Sequence, residues 1–430
     1  MEPLLPSGLE DDDADARGEK LQLAERRASA TGVDVRGPKD QHSSPDGNVL
    51  DGGESDEEEE EEEENDEEEL RGHQSVSSEE NYDTDLELGD EEEEEAEAAC
   101  DPAGRTPYVE ACGALRVAPA SSFLRHMRSS ELSMMHRGLG PQGTKALAVP
   151  LVTNTSILRL NLRDNWMEAM GGAAVAEMLK ENCNITEVDL SDNALGDDGA
   201  RAVAGMLMEN RTLVSLRLSG NHLTDRSAEH LGPALMANSA LRHLDLSHNA
   251  LGERAGKALR DSLPENTGLR SLNLAWNCLR GRGAVMLAGG LGANVFLRAV
   301  DLTFNGFGKE GAIALGQALK ENYVLEELNL SSNRIPPEGA IHLAMGLKVN
   351  KTIKSLNVGR NPIQSAGCYG ILQALQENPD SAVETLDFSD VAVNQDFEDL
   401  HAAVKERFPA LTVNHGGGTG AFRKAKAWKV

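Results

Sequence analysis

The chain has 430 residues, 72 acidic and 41 basic, for a formal net charge of −31. Residues 1–100 hold 38 acidic and 7 basic side chains, which is already −31, so the rest of the chain is neutral. A charge of that sign repels nucleic acid and anionic membrane surfaces and leaves a protein partner as the expected ligand class.

Residues 1–105 are rich in Asp, Glu, Ser and Gly and include eight successive glutamates, Glu57 to Glu64. Their apolar content cannot offset the entropy of ordering, so a disordered acidic segment is predicted. The five cysteines show no CxxC pair and no metal-ligand spacing, and their odd number argues against a closed disulfide framework. The first residues, MEPLLPSGLEDDD, lack a basic region followed by an apolar one, and no apolar run approaches a membrane span. A soluble, cytoplasmic or nuclear, monomeric protein is expected.

From Thr106 the character changes. Thr106-Pro107 reads as an N-cap with Pro at the first helical position, opening a helix through Leu115. Apolar residues from Phe123 to Met134 then shield the first repeat, making residues 106–136 an N-terminal cap.

Residues 137–393 carry one pattern, LxxLxLxxNxL, with its Asn at Asn165, Asn193, Asn221, Asn249, Asn277, Asn305, Asn333 and Asn361. The interval between them never varies, so the chain holds an internal repeat with a 28-residue period. Two leucine columns, Leu160 and Leu162 and their equivalents, alternate as on one face of a short strand. A small residue such as Gly171 or Gly199 stands six places after each Asn, and an i, i+4 apolar pair such as Val175 and Leu179 follows. Strand, turn and helix repeated at this period define an α/β leucine-rich-repeat solenoid, a horseshoe with parallel strands on the concave face and helices on the convex face. The Asn column is assigned as a structural ladder, because an amide can satisfy backbone groups in its own turn and in the next repeat. A second column, Asn182 to Asn378, is read as a left-handed helix terminus.

Gly138, Gly140 and Gly143 spell GxGxxG, but counting back one period from Asn165 lands on Arg137, so they are read as repeat geometry and no cofactor is expected. In the ninth unit Val391 replaces the Asn, and Phe397, Leu400, Val404 and Phe408 form a last apolar helix face. Residues 394–415 are therefore the C-terminal cap, and residues 416–430 a flexible basic tail.

These residues resemble the ribonuclease-inhibitor-type leucine-rich repeats. The stretch YVEACGALRVAPASSFLRHM from Tyr108, GLGPQGTKAL from Gly138 and the closing ALTVNHGGG are similar to the leucine-rich repeat-containing protein 74 family, over about residues 106–416. The resemblance implies a binding scaffold without known chemistry. A Ran GTPase-activating protein shares the repeat type, which implies an alternative, a regulator of a small GTPase, with Arg163 as its candidate arginine.

The sequence shows no nucleophile, metal or phosphate-loop constellation that the repeat register leaves unexplained, so no enzyme, metal or small-molecule substrate is expected. The expected site is the concave face and its rim in the fourth to sixth repeats. Asp245, Asn273 and Asp301 lie there in the outward strand column, beside His248, Trp276 and Phe304, aromatic groups of the kind that anchor interfaces.

Overall fold

The computed structural model describes residues 104–418. Helices α1 (Arg105–Leu115) and α2 (Ser121–His126) come first. Eleven strands follow: β1 (Glu131–Ser133), β2 (Arg159–Asn161), β3 (Glu187–Asp189), β4 (Ser215–Arg217), β5 (His243–Asp245), β6 (Ser271–Asn273), β7 (Ala299–Asp301), β8 (Glu327–Asn329), β9 (Ser355–Asn357), β10 (Thr385–Phe388) and β11 (Thr412–His415). Between them run α3 (Gly140–Leu151), α4 (Glu168–Glu181), α5 (Gly196–Glu209), α6 (Asp225–Ala237), α7 (Glu253–Ser262), α8 (Arg282–Ala293), α9 (Gly308–Glu321), α10 (Pro337–Leu347), α11 (Gln364–Glu377) and α12 (Gln395–Arg407).

The strands form one open parallel sheet in chain order. From β1 to β9 the register repeats the step of the sequence, Leu132 opposite Leu160, then Val188, Leu216 and Leu244. Equal spacing keeps every column of the sequence in one row of the sheet. From β1 to β9 each strand is only three residues long, with its central apolar residue and a second one two places on both turned into the core, where they are buried. Strands sit about 4.8 Å apart while packed helices need about 10 Å, so the stack bends with its strands inside. The small-residue column lets helices nest: a Cβ on Gly171 would lie 2.7 Å from the Met167 Cβ and 3.3 Å from the Thr144 Cβ.

The Asn column is hydrogen-bonded as a ladder. Asn193 is fully buried, and its Nδ2 donates to the carbonyls of Leu162, Leu190 and Ser191 at 2.9–3.0 Å. Its Oδ1 accepts from the Asn165 N–H at 2.8 Å, and its own N–H donates to Asn221 Oδ1 at 3.0 Å. The second Asn column is not left-handed. Asn182, Asn210, Asn238, Asn294, Asn322 and Asn378 are all extended, with φ between −68° and −104°. They build a second ladder instead. Asn238 Nδ2 donates to Leu207 O at 2.7 Å and Asn210 O at 3.1 Å, and its Oδ1 accepts from the Ala240 and Leu241 N–H groups at 2.9 Å each.

The ends differ from expectation in three places. Thr106 lies inside α1, whose N-cap is Gly104 at φ 82°, so the Thr-Pro pair does not cap the helix. The sheet begins at Glu131, ahead of residue 137, because Leu132 and Met134 already occupy the two buried columns. A parallel strand therefore does precede Gly138, and a helix follows it. The glycines still obey the repeat: Gly138 and Gly140, at φ 59° and 60°, match Trp166 at 54° and Glu168 at 53° one unit on. At the far end Val391 ends the Asn column, Phe397 and Val404 are buried, and Thr412–His415 extends the sheet by pairing with β10. The expected disordered segment lies outside the described residues except for Gly104 and Arg105, which open α1 and so shorten it, and most of the basic tail lies outside them too.

Candidate partner-binding surface

Past each strand the chain turns through two fixed conformations. First, where the outward strand residue is Asp or Asn, its side chain accepts the N–H two residues on: Asp245 Oδ1 from Ser247 at 2.9 Å, Asn273 Oδ1 from Ala275 at 3.0 Å, Asp301 Oδ1 from Thr303 at 2.9 Å. These short polar residues therefore build the turn, in the manner of Asx-turns, a role the sequence reading missed. The signal was available, since Asx-turns favour Asp and Asn where the chain must fold back. One polar atom each is left over on Asp245 and Asn273. Asp301 has less to offer, because its Oδ2 accepts from Asn329 Nδ2 at 3.2 Å.

Second, the residue immediately before each ladder Asn, or before Arg137 in the first unit, is left-handed. His136, Asp164, Asp192, Gly220, His248, Trp276, Phe304, Ser332 and Arg360 all have φ between 53° and 67°. This geometry sends the N–H to the next repeat, as from Trp276 to Thr303 O at 2.8 Å, and throws the side chain out over the rim. Left-handed backbone costs roughly 1–2 kcal/mol for a residue with a Cβ.

In three successive repeats that position carries a ring. His248 stacks on Trp276 with centroids 5.3 Å apart and planes 14° apart, and Trp276 stacks on Phe304 at 3.9 Å and 20°. Such pairs contribute about 0.5–1.5 kcal/mol each, enough to offset part of the backbone cost. Stacking does not bury them: Trp276 remains 48 % exposed and Phe304 37 %. Trp276 is sandwiched, so it offers an edge rather than a face. Below the rim, over β6–β9, is a hollow of about 400 Å³ lined by Asn273, Asp301, Asn329 and Asn357 with the short side chains Ser271, Ala299 and Ser355 and with Glu327.

Trp166 and His222 do not join this row. They follow their ladder Asn instead of preceding it, and Trp166 stands at 67 % exposure with no ring partner among the described residues. Arg163 is on the rim of the first repeats, its Nε donating to Asp192 Oδ2 at 2.8 Å. Among the described residues no group of three or more His, Cys, Asp or Glu is arranged to hold a metal, and no helix is long and apolar enough to cross a membrane.

A family model described as Leucine Rich repeat matches seven segments, residues 181–204, 209–232, 237–259, 265–288, 293–316, 322–344 and 349–372. Leucine-rich repeat-containing protein 74B of Homo sapiens is 44 % identical over 81 residues, 19 % of either chain. Its Mus musculus counterpart is 50 % identical over 54 residues, 13 % of this chain and 14 % of that protein. The matched stretches thus span less than a fifth of those relatives. Among solved structures, Leiomodin-1 Actin-Binding Site 2 aligns at 22 % identity and TM-score 0.28, over 30 % of this chain and 80 % of that one. The mouse RP105/MD-1 complex aligns at 16 % and 0.39, over 67 % and 47 %. The chain is built of leucine-rich repeats and is similar, over the matched stretches, to leucine-rich repeat-containing protein 74B.

Proposed function

We propose that this chain is a non-catalytic, monomeric scaffold of the cytoplasm that holds one protein partner on its concave face, centred on β5–β7. One observation carries the reading: three rings are stacked in a row at backbone positions where a glycine would be less strained, yet they stay open to solvent. A buried core gains from rings in such a place; an exposed rim gains only if something covers them. The hollow beside the row gives a partner backbone room, and Asp245 and Asn273 keep one polar atom each to bond it. On this reading residues 105–130 and 394–418 close the ends of an array that starts at β1, and the segments outside them are appendages.

The double variant Trp276→Ala, Phe304→Ala tests it by affinity capture from lysate against wild type and the convex-face control Lys257→Ala. A ring anchor typically contributes about 2 kcal/mol or more to binding, so the partner set should fall at least about tenfold with the double variant alone. Equal capture by all three chains would refute the site. The small-GTPase alternative rests on Arg163, whose guanidinium is already engaged by Asp192. It predicts that Arg163→Ala abolishes stimulation of hydrolysis across a GTPase panel.

A further inference from the structure

The same three repeats carry a second row at the opposite ends of their strands. Arg242, Arg270 and Arg298 each stand one residue before β5, β6 and β7, and the pairing of His243 with Ser271 and of Ser271 with Ala299 brings them side by side. Strand spacing places neighbours about 5 Å apart at the backbone, where like charges directly opposite one another are unfavourable.

Two of the three, Arg242 and Arg270, do not escape this crowding by pairing with acids. Arg242 Nη1 and Arg270 Nη1 both donate to the Gly268 carbonyl at 2.8 Å, and Arg270 Nη1 also reaches Thr267 O at 3.2 Å and Leu269 O at 3.0 Å. The Arg270 guanidinium lies 5.3 Å from the centroid of the Phe296 ring. Among the described residues, neither Arg242 nor Arg270 has a carboxylate within 4 Å, whereas along the same edge Arg298 and Lys354 share Glu326 at 2.8 and 2.7 Å. Burial, and then the charges of Arg242 and Arg298, pull the Arg270 pKa below that of an ordinary arginine. A guanidinium has five N–H donors, and these bonds use only the Nη1 groups of Arg242 and Arg270.

We infer that Arg242, Arg270 and Arg298 form a receptor for the side-chain carboxylates of an acidic protein segment. Carboxylates would bridge neighbouring guanidinium groups through Nε and Nη2, the bidentate geometry that arginine favours, and would remove the repulsion built into the row. A nucleic acid fits less well. The row spans only about 10 Å, two strand spacings, and Glu326 and Glu327 follow it, so a phosphate backbone finds no continuing basic track. This inference stands independently of the aromatic row, which lies past the opposite ends of the same strands.

The probe is a fluorescein-labelled octaglutamate peptide, read by anisotropy at low and physiological salt. It is titrated into the full chain and into a full chain whose Glu57–Glu64 run is replaced by Gly-Ser. Binding to either chain, weakened at least tenfold by Arg242→Glu with Arg270→Glu and weakened by salt, is the expected result. Binding only to the Gly-Ser chain would add that the protein's own glutamates compete for the same receptor. Should the charge reversal unfold the chain by circular dichroism, Arg242→Gln with Arg270→Gln serves instead, with the same loss expected. Trp276→Ala with Phe304→Ala should leave peptide affinity within about twofold. The inference is overturned if the peptide binds neither chain, if the arginine variants bind it as wild type does, or if a single-stranded oligonucleotide binds more tightly.

Discussion

Asn238→Gly separates two accounts of the second Asn column. If Asn238 served as a left-handed helix terminus, glycine would suit it as well or better, and stability would hold or rise by a few tenths of a kcal/mol. The structure instead shows φ −97° and ψ 120°, ordinary extended backbone, with the side chain 2 % exposed. Its amide closes four bonds: two donated to Leu207 and Asn210 in the preceding unit, two accepted from Ala240 and Leu241 in its own. Removing it strands the buried Leu241 N–H and the half-buried Ala240 N–H and withdraws a donor from two carbonyls. Each unsatisfied buried donor costs about 1–3 kcal/mol, so a total loss of roughly 2–5 kcal/mol follows once water re-solvates part of the gap. Asn238→Ala should lose nearly as much, since neither replacement has an amide. Equilibrium urea unfolding followed by far-UV circular dichroism measures both. A stability for Asn238→Gly within about 0.5 kcal/mol of wild type, the range of an inconsequential surface change, would refute the ladder.

Asp197 takes hydrogen bonds from the Thr224 hydroxyl and N–H and from the Ser227 hydroxyl. Burial raises its pKa, but those bonds outweigh burial and hold it below the ordinary carboxylate value. Its stabilisation is therefore present above about pH 4 and is lost as pH falls through the folded-state pKa. Asp197→Asn should cost about 1–2 kcal/mol at pH 7, and the gap from wild type should close on acidification; a gap independent of pH would contradict this. Burial pushes the Cys368 thiol up to about 12 and raises that of Cys112, while Cys183 and Cys278 are exposed. A thiol reagent followed by peptide mapping should label Cys183 and Cys278 in the native chain and reach Cys112 and Cys368 only after denaturation.

The sequence alone determined the repeat, because a fixed period must place equivalent residues in equivalent rows once any two units stack. The leucine columns, the small column beneath Met167 and Leu195, and the Asn ladder are all consequences of that one periodicity, and each is where counting put it. Backbone conformation was harder to read. Asn is at home both in left-handed and in extended backbone, so Asn182 to Asn378 could be assigned only when their partners in the preceding unit, such as Leu151 and Asn154 for Asn182, were in view. Counting from the Asn also hid β1, whose unit carries Arg137 in place of the amide but keeps both buried columns. The candidate surface was half legible. Periodicity aligned His248, Trp276 and Phe304, yet only the tertiary structure decided that their backbone is left-handed, that Trp276 is sandwiched, and that Asp245, Asn273 and Asp301 spend an oxygen on their own turns. The arginine row went unread for the same reason. Arg242, Arg270 and Arg298 are one period apart like everything else in the array, and what marks them out, charge without a carboxylate partner at the first two, is a relation between neighbouring strands that no single repeat contains.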